Sequence, residues 1–228
     1  MTFVISPPNR VSLGVVGTLA RFPVRRVYCI GRNYVEHIRE IPDADERELP
    51  FFFQKPTDAI LEDGGAFPYP PATQNVHHEV ELAVAISKSG ENITVGNALN
   101  HVFGYGVGID MTRRDLQAIA KEMRRPWEAA KAYDCSAPCS NIVPAKEIGH
   151  PTCGRIWLEV NGVVKQDGDL EQQIWSVQES IAYIATMFKL MPGDLIMTGT
   201  PAGVGPVKKG DNIMGAIDGI SKVRVSVK

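Results

Sequence analysis

Arg155-Ile-Trp-Leu-Glu-Val160-Asn161-Gly162-Val163-Val-Lys-Gln166 is the stretch of this chain that decides its fold class. Apolar side chains alternate with other side chains around the central dipeptide, as they do in strands with one buried face. Asn161-Gly162 suits the positive φ angles of a type I′ turn, which joins two strands through two residues. Residues 155–166 are therefore predicted to form an antiparallel hairpin.

A second dipeptide of this kind, Asp218-Gly219, lies between the apolar segments 213–217 and 220–227. It predicts another hairpin near the C-terminus. Many short apolar segments separated by turn residues make up most of the remaining chain. The pattern indicates a dominant antiparallel or mixed sheet.

Helical periodicity is strongest over residues 177–190, where apolar residues recur at helical spacing. Ser176-Val-Gln-Glu179 is a capping box that predicts the start of this helix, and Pro192-Gly193 predicts its end. With a dominant sheet, such a helix indicates an α+β fold.

Two further helices are predicted from weaker signals. One begins after Thr112, whose hydroxyl would cap the free amide groups, and stops before Pro126. The other is a short helix over residues 33–40. The fold should therefore carry a few helices beside the sheet.

Length and composition exclude several classes of function. The chain has 228 residues, 44% of them hydrophobic and 22% charged, with a formal net charge of -2. We predict one catalytic domain over residues 23–228, preceded by an N-terminal arm over residues 1–22. A near-neutral charge gives no basic field for nucleic acid, and the apolar runs are too short to span a membrane. The expected location is the cytoplasm.

Cysteine and histidine spacing raises the possibility of a zinc site. Cys135-x3-Cys139 and His150-x2-Cys153 offer four ligands within one loop-rich stretch. Neither half has the close C-x2-C spacing of a zinc knuckle, and prolines interrupt the segment. We favour the interpretation that these are small, partly buried loop residues, and with Cys29 they do not resemble a disulfide framework.

A more prominent group of candidate ligands lies in the segment 76–84. Alternation along a strand places Glu79 and Glu81 on one face, where like charges repel unless a cation lies between them. Both could instead form the solvated face of an edge strand. Asp110, at the end of the apolar strand Val102–Ile109, would add a third carboxylate. Three oxygen ligands suit Mg2+, Mn2+ or Ca2+ better than zinc.

Two other features could act on a substrate. His37 and Glu40, three residues apart on the short helix, would form a general base oriented by a carboxylate, or an exposed helical pair. The glycine loop at residues 199–206 could hold a carboxylate through its amides, although a plain tight connection is equally consistent.

Seven ordered blocks of this sequence are similar to those of one known family. They are Cys29-Ile-Gly-Arg-Asn-Tyr-x2-His-x2-Glu40, Phe53-x-Lys-Pro56, His78-Glu-x-Glu-Leu82, Asp110-Met-Thr-x-Arg-Asp-Leu-Gln117, Lys131, Asn161-Gly-x4-Asp-Gly168 and Pro192-Gly-Asp-Leu-Ile-x-Thr-Gly-Thr-Pro-x-Gly-Val-Gly205. The chain resembles the fumarylacetoacetate hydrolase superfamily over nearly its whole length. It is most similar to the short acylpyruvate hydrolases, including bacterial fumarylpyruvate hydrolases.

The resemblance implies a mixed β-roll or β-sandwich-like fold with a few flanking helices, and usually a homodimer. It implies that Mg2+ or Mn2+, with Ca2+ as a substitute, is bound by Glu79, Glu81 and Asp110. It implies that the catalytic residues are His37, Glu40 and Lys131, the first two activating water on a lid. The positions that correspond to substrate contacts are Arg32, Arg114, Gln117 and Thr200.

The predicted activity is metal-dependent hydrolysis of the carbon–carbon bond of an acylpyruvate, which makes the protein a hydrolase of ketonic substances. The favoured substrate is fumarylpyruvate, cleaved to fumarate and pyruvate during aromatic degradation. Alternatives are acetylpyruvate hydrolysis, oxaloacetate decarboxylation, isomerisation or decarboxylation of unsaturated diacids, and metal binding without catalysis. Residues 124–127 or the lid would read the acyl end.

Overall fold

The computed structural model describes residues 2–36 and 49–228. Its strands are β1 Ser12–Gly14, β2 Arg21–Pro23, β3 Arg26–Gly31, β4 Phe51–Lys55, β5 Ile60–Glu62, β6 Gly65–Phe67, β7 Val76–His78, β8 Val80–Ile86, β9 Val102–Ile109, β10 Thr112–Arg113, β11 Ala137–Cys139, β12 Val143–Pro144, β13 Arg155–Val160, β14 Val163–Asp169, β15 Asp194–Met197, β16 Gly205–Val207, β17 Asn212–Ile217 and β18 Ser221–Val227. Its α-helices are Arg114–Glu122, Glu128–Lys131, Ala145–Ile148 and Val177–Met187. Short 3-10 helices cover Thr57–Ala59, Val95–His101 and Leu170–Gln172.

Within the described residues, the strands form one large sheet, a five-stranded sheet and two small ones. The large sheet has the order β4-β3-β15-β8-β9-β11-β5, with β12 also paired to β9. It mixes parallel pairs, such as β3 with β15, with antiparallel pairs, such as β8 with β9. A mixed sheet with few helices confirms the predicted α+β class.

Both predicted hairpins are present in the five-stranded sheet, whose order is β14-β13-β17-β18-β6. Asn161 and Gly162 have φ angles of 53° and 78°, the sign that a type I′ turn requires. In the second hairpin, Gly219 has a φ of 76°. The turn dipeptides therefore located the sheet's two hairpins correctly.

Strand β8 lies in the interior of the large sheet and divides two apolar clusters. Val80, Leu82 and Val84 belong to the larger cluster, whereas Ala85 on the opposite face belongs to the smaller one. All seven residues of the strand are buried. Glu81 shares the face of Ala85, so it cannot belong to a solvated edge strand.

The predicted N-terminal arm contains the β1–β2 hairpin. Leu13 and Phe22 from this hairpin are buried in the smaller cluster, and Phe22 stacks on Phe103 with ring centroids 5.6 Å apart. Val16 also donates a backbone hydrogen bond of 2.9 Å to Ile142. Part of the arm thus packs onto the sheet, and the domain boundary at residue 23 stays a prediction.

The capping box at Ser176 is confirmed. The Ser176 hydroxyl accepts a hydrogen bond of 3.3 Å from the Glu179 amide, and the Glu179 carboxylate accepts one of 2.9 Å from the Ser176 amide. The helix ends at Met187 instead of residue 190 because Phe188 has extended backbone angles. Leu190 then forms a bridge with Gly90.

The predicted cap at Thr112 is wrong. Thr112 lies in β10, where it pairs with His77, and the helix begins at Arg114 without a side-chain cap. The Thr112 hydroxyl instead donates a hydrogen bond of 3.2 Å to Glu79. Val35 and Glu36 of the predicted helix over residues 33–40 are helical, and residues 37–40 lie outside the described residues. No described helix is long and apolar enough to cross a membrane.

Candidate active site

The three predicted carboxylates meet at one end of the β8–β9 pair. Glu79 directly precedes β8, Glu81 is the second residue of that strand, and Asp110 directly follows β9. The Asp110 amide donates a hydrogen bond of 2.8 Å to the Glu79 carbonyl, so this antiparallel pairing brings the three side chains together. One oxygen from each lies within 4.8 Å of the others. Their exposed fractions are 5%, 2% and 0%, which contradicts the solvated-face alternative.

Burial makes this carboxylate group electrostatically unfavourable on its own. The pKa of Glu81 is raised well above its usual value by burial and by Asp110 and Glu79. A hydrogen bond of 2.7 Å from the Gly199 amide opposes that increase. The repulsion predicted from the strand spacing is therefore present, and it favours a bound cation.

Two buried lysines neutralise part of the charge. Lys131 Nζ lies 2.8 Å from Glu79 Oε2, 2.5 Å from Asp110 Oδ2 and 2.6 Å from the Thr112 hydroxyl. Although burial alone would lower the pKa of Lys131, Asp110 and Glu79 raise it, so the ammonium stays charged. Because all three protons point at protein oxygens, Lys131 here is a counter-ion of the carboxylates.

Lys55 is the second buried lysine. It belongs to the block Phe53-x-Lys-Pro56, for which the sequence predicted no role. Its ammonium lies 2.8 Å from Asp110 Oδ1 and donates to the Ser136 hydroxyl at 3.0 Å. It also donates to the backbone carbonyls of Met111 and Lys131. Lys55 therefore connects Asp110 to the backbone that carries Lys131.

The donor set fits a hard divalent cation. Three carboxylate side chains meet here, and their negative charges are opposed by two buried ammonium groups and by the Arg114 guanidinium, which lies 3.1 Å from Glu79. Oxygen donors without nitrogen or sulfur ligands are typical of Mg2+, Mn2+ or Ca2+ sites. In the described part of the chain, this is the only group of three or more potential ligand residues that meets.

A cleft opens on the carboxylates, and the described residues that line it are Ile30, Gly31, Arg32, Phe51, Phe53, Glu79, Glu81, Asp110, Arg114, Gln117, Lys121, Trp127, Lys131, Gly199 and Thr200. All four predicted substrate-contacting residues are among them. Arg114 donates hydrogen bonds of 3.1 Å to Glu79 and 2.9 Å to the buried Gln117. The Arg32 guanidinium lies 5.6 Å from the centroid of the Phe51 ring.

The hydroxyl of Thr200 belongs to a buried hydrogen-bond network. Gln166 donates through Nε2 to Thr200 Oγ1 at 2.8 Å and to the Pro201 carbonyl at 2.9 Å. Its Oε1 accepts from the Val80 amide at 3.1 Å and from His78 Nδ1 at 2.9 Å. The Val80 amide donates to Oε1 and the Pro201 carbonyl accepts from Nε2, so these two backbone groups fix the orientation of the Gln166 amide. The Thr200 hydroxyl oxygen is thus an acceptor, which leaves its proton free for another partner.

The glycine loop holds a carboxylate, but one that belongs to the protein. The Gly199 amide binds Glu81. Gly199 has a φ of 92°, and a β-carbon there would lie 2.7 Å from the β-carbon of Asn33. The chain therefore needs glycine at this position to bring the amide against Glu81.

The remaining predicted site residues are His37, Glu40 and those of the Cys/His stretch. His37 and Glu40 lie outside the described residues, so their dyad stays a prediction. The Cys/His stretch does not gather as a site: Cys139 is buried, Cys153 is exposed, and His150 lies 2.7 Å from the Tyr105 hydroxyl. The favoured interpretation as partly buried loop residues fits Cys135 and not Cys139, which is buried in β11.

Sequence reasoning did not single out Gln166, Lys55 or Lys121, three residues that lie in or beside the site. The sequence did contain one signal for Gln166, namely that this polar residue occupies an inward-facing position of a predicted hairpin. Lys121 lies seven residues after Arg114, a spacing that keeps both on one face of a helix. Lys55 had no periodic signal, because its partner Asp110 comes from a distant strand.

Comparison with known proteins agrees with this geometry. The family model described as fumarylacetoacetate (FAA) hydrolase C-terminal matches residues 26–228. A mitochondrial oxaloacetate tautomerase of Mus musculus is 41% identical over 204 residues, which are 90% of this chain and 92% of that protein. A fumarylpyruvate hydrolase of a Ralstonia species is 43% identical over 180 residues, 79% and 93% of the two chains.

A solved structure extends the likeness to the whole fold. Fumarylpyruvate hydrolase from Pseudomonas aeruginosa, in complex with Mn2+ and pyruvate, superposes with a TM-score of 0.96. It is 48% identical in sequence, and the match covers 99% of each chain. With the family model matching nearly the whole chain, the protein belongs to the fumarylacetoacetate hydrolase family.

Proposed function

We propose that this protein hydrolyses the carbon–carbon bond of acylpyruvates with a divalent cation, and that fumarylpyruvate is its preferred substrate. The observation that carries the proposal is the buried carboxylate group, which opens into the same cleft as Thr200, Arg114 and Lys131. The similarity to a fumarylpyruvate hydrolase solved with Mn2+ and pyruvate supports the same assignment.

Glu79, Glu81 and Asp110 would hold Mg2+ or Mn2+, and Ca2+ could occupy the same oxygen donors. A divalent cation there would neutralise the negative charge that develops on the pyruvyl oxygens as the bond breaks. The three buried carboxylate oxygens, which lie within 4.8 Å of one another, support this assignment.

Thr200 would bind the pyruvyl carboxylate. Its hydroxyl oxygen already accepts from Gln166, so its proton can be donated to an anion in the cleft. Arg114 and Gln117 lie on the same wall, and Arg32 lines the opening. These groups would orient the diketo acid before attack.

His37, oriented by Glu40, would remove a proton from water as its oxygen adds to the acyl carbonyl. The bond between that carbon and the pyruvyl methylene then breaks, and its electron pair leaves with the pyruvyl part, which takes up a proton. The products are a carboxylic acid and pyruvate. Lys131 would contribute a positive charge beside the reacting oxygens of the substrate. Its protons hold Glu79 and Asp110 in place.

Oxaloacetate chemistry is the second candidate. The likeness to an oxaloacetate tautomerase favours it, because oxaloacetate is also a 2-keto acid with an acidic methylene group. Tautomerisation and decarboxylation need no water attack, although tautomerisation still requires a base to remove a methylene proton. The two candidates therefore differ in whether water adds to the substrate.

A substrate panel tests the proposal. The values of kcat/KM should be measured for fumarylpyruvate, maleylpyruvate, acetylpyruvate and oxaloacetate with Mn2+ or Mg2+ present. We expect fumarylpyruvate to give the highest value and His37→Ala to lose its hydrolysis. Oxaloacetate turnover above that of all acylpyruvates would overturn the assignment in favour of the second candidate.

We also propose that the protein acts in the cytoplasm as a homodimer, as the family resemblance implies. Sedimentation equilibrium of the purified chain tests the assembly. A monomer across the working concentration range would contradict it.

A further inference from the structure

One face of the helix Arg114–Glu122 forms a wall of the cleft. Arg114, Gln117 and Lys121 all line the cleft, and their spacing of three and four residues keeps them on the same helical face. With a rise of about 1.5 Å per residue, Lys121 lies about 10 Å further along the helix than Arg114. Arg114 contacts the carboxylates at the buried end, whereas Lys121 is exposed to solvent. The wall therefore carries a cation at each end.

These two cations differ in their partners. Arg114 forms an ion pair of 3.1 Å with Glu79. Lys121 has no side-chain hydrogen bond or ion pair with residues 2–36 or 49–228; its ammonium lies 5.2 Å from the centroid of the Trp127 ring. An ammonium at the side of a cleft, with no acidic partner among the described residues, is suited to a negatively charged ligand.

The electrostatic environment of Lys121 supports the same conclusion. Partial burial, together with the positive charges of Arg114 and Arg32, lowers the pKa of Lys121 to about 8. An incoming anion would relieve this repulsion and favour the charged ammonium.

Aromatic contacts link the carboxylate site to Lys121, because Lys131 lies 4.9 Å from the Phe53 ring and Lys121 lies 5.2 Å from the Trp127 ring. Trp127 contacts Phe51 and Phe53, with ring centroids 5.2 and 6.0 Å apart, and all three rings line the cleft. Flat apolar walls suit a planar, conjugated carbon chain better than a polar one. The cleft thus offers an anion site, an aromatic section and a second cation in sequence.

We propose that Lys121 binds a carboxylate at the far end of the acyl group, and so selects acylpyruvates whose acyl part is itself an acid. This inference rests on the proposed function, because it assumes that the pyruvyl end occupies the buried carboxylate site. Arg124 and Arg125, which the sequence offered as candidates for this task, do not line the cleft. Lys121 from the preceding helical turn takes that position instead.

Selectivity between two substrates provides the test. The quantity to measure is the ratio of kcat/KM for fumarylpyruvate to kcat/KM for acetylpyruvate, in wild type, Lys121→Met and Lys121→Glu. We expect the ratio to fall about tenfold in Lys121→Met, because one charge-assisted hydrogen bond is lost. It should fall further in Lys121→Glu, because the new carboxylate would repel the substrate carboxylate. A ratio measured within one preparation cancels losses of folded protein or bound metal.

Arg125→Met is the matched control, because it removes a neighbouring cation that does not line the cleft. Its ratio should equal that of the wild type. An unchanged ratio in Lys121→Met, or an equal fall in Arg125→Met, would overturn the role of Lys121 while leaving acylpyruvate hydrolysis intact. If the wild type cleaves neither compound, the proposed function is wrong. The affinities of the wild type and the same variants for both compounds, measured by calorimetry, then test whether Lys121 binds the distal carboxylate.

Discussion

The side-chain amide of Gln166 donates a hydrogen bond of 2.8 Å to the hydroxyl oxygen of Thr200. Both side chains are buried, and Gln166 comes from the long hairpin while Thr200 follows β15. Since Oε1 of Gln166 accepts from the Val80 amide, the donor must be Nε2. Thr200 is thereby turned into a hydrogen-bond donor toward the cleft.

We predict that Gln166→Glu weakens binding of the pyruvyl carboxylate. The new carboxylate keeps an acceptor for Val80, but it has no proton to donate, so the Thr200 hydroxyl would donate to it and not to substrate. KM for acylpyruvates and the inhibition constant of pyruvate should rise about tenfold, with a smaller effect on kcat. Steady-state kinetics with pyruvate as inhibitor measure all three quantities.

The control for Gln166→Glu is the same chemical change at the exposed Gln74, which should alter none of these constants. Thr200→Val should reproduce the effect, and the double variant should add little to either single one because both remove one interaction. Full additivity would mean that Gln166 acts independently of Thr200.

We predict that a divalent cation stabilises the fold by relieving repulsion among Glu79, Glu81 and Asp110. At a free concentration of about 100 times the dissociation constant, the gain is about 2.7 kcal/mol. For a chain of this size, that corresponds to a rise in Tm of roughly 5 to 10 °C. Differential scanning fluorimetry after EDTA treatment and after addition of Mn2+ measures it.

Glu81→Gln should abolish most of this metal-dependent rise, whereas Glu147→Gln should preserve it, since the side chain of Glu147 is 61% exposed. A Tm that does not respond to Mn2+ in the wild type would exclude a metal site at these carboxylates.

We predict that Lys55→Met destabilises the protein by about 3 to 5 kcal/mol, because Asp110 would lose a partner inside the buried site. The comparison is Arg21→Met, which breaks an ion pair with Glu62 whose side chains are 44% and 55% exposed. That change should cost less than about 1 kcal/mol. Urea unfolding in EDTA measures both free energies, and equal losses would contradict a special role for Lys55.

We predict that substrate selectivity falls at high pH. The pKa of Lys121 is lowered to about 8, so its ammonium is charged below that pH and neutral above it. The ratio of kcat/KM for fumarylpyruvate to that for acetylpyruvate should therefore be highest below pH 8 and should fall as the pH rises through 8. Groups that act equally on both substrates cancel in this ratio.

Lys121→Arg keeps its charge to much higher pH, so its ratio should stay constant over the same range. A wild-type ratio that is independent of pH between 6 and 10 would exclude Lys121 as the titrating group.

Local patterns were sufficient for the elements that depend on neighbouring residues. Asn161-Gly162 and Asp218-Gly219 predicted both hairpins because residues that accept a positive φ favour a tight turn locally; Asn161, Gly162 and Gly219 have positive φ angles. Ser176 and Glu179 predicted a helix start because both partners lie within one turn. The cap at Thr112 failed, since a tertiary hydrogen bond to Glu79 drew the hydroxyl away from the helix.

The sequence by itself determined the α+β class, the hairpins and the pairing of Glu79 with Glu81, because strand alternation and turn chemistry act over a few residues. Only the tertiary structure decided which groups surround them. Gln166 and Thr200 are 34 residues apart, and Lys55 is 76 residues from the Lys131 carbonyl that it binds. Contacts of this range depend on the order in which strands assemble into the sheet, and no local periodicity contains that order.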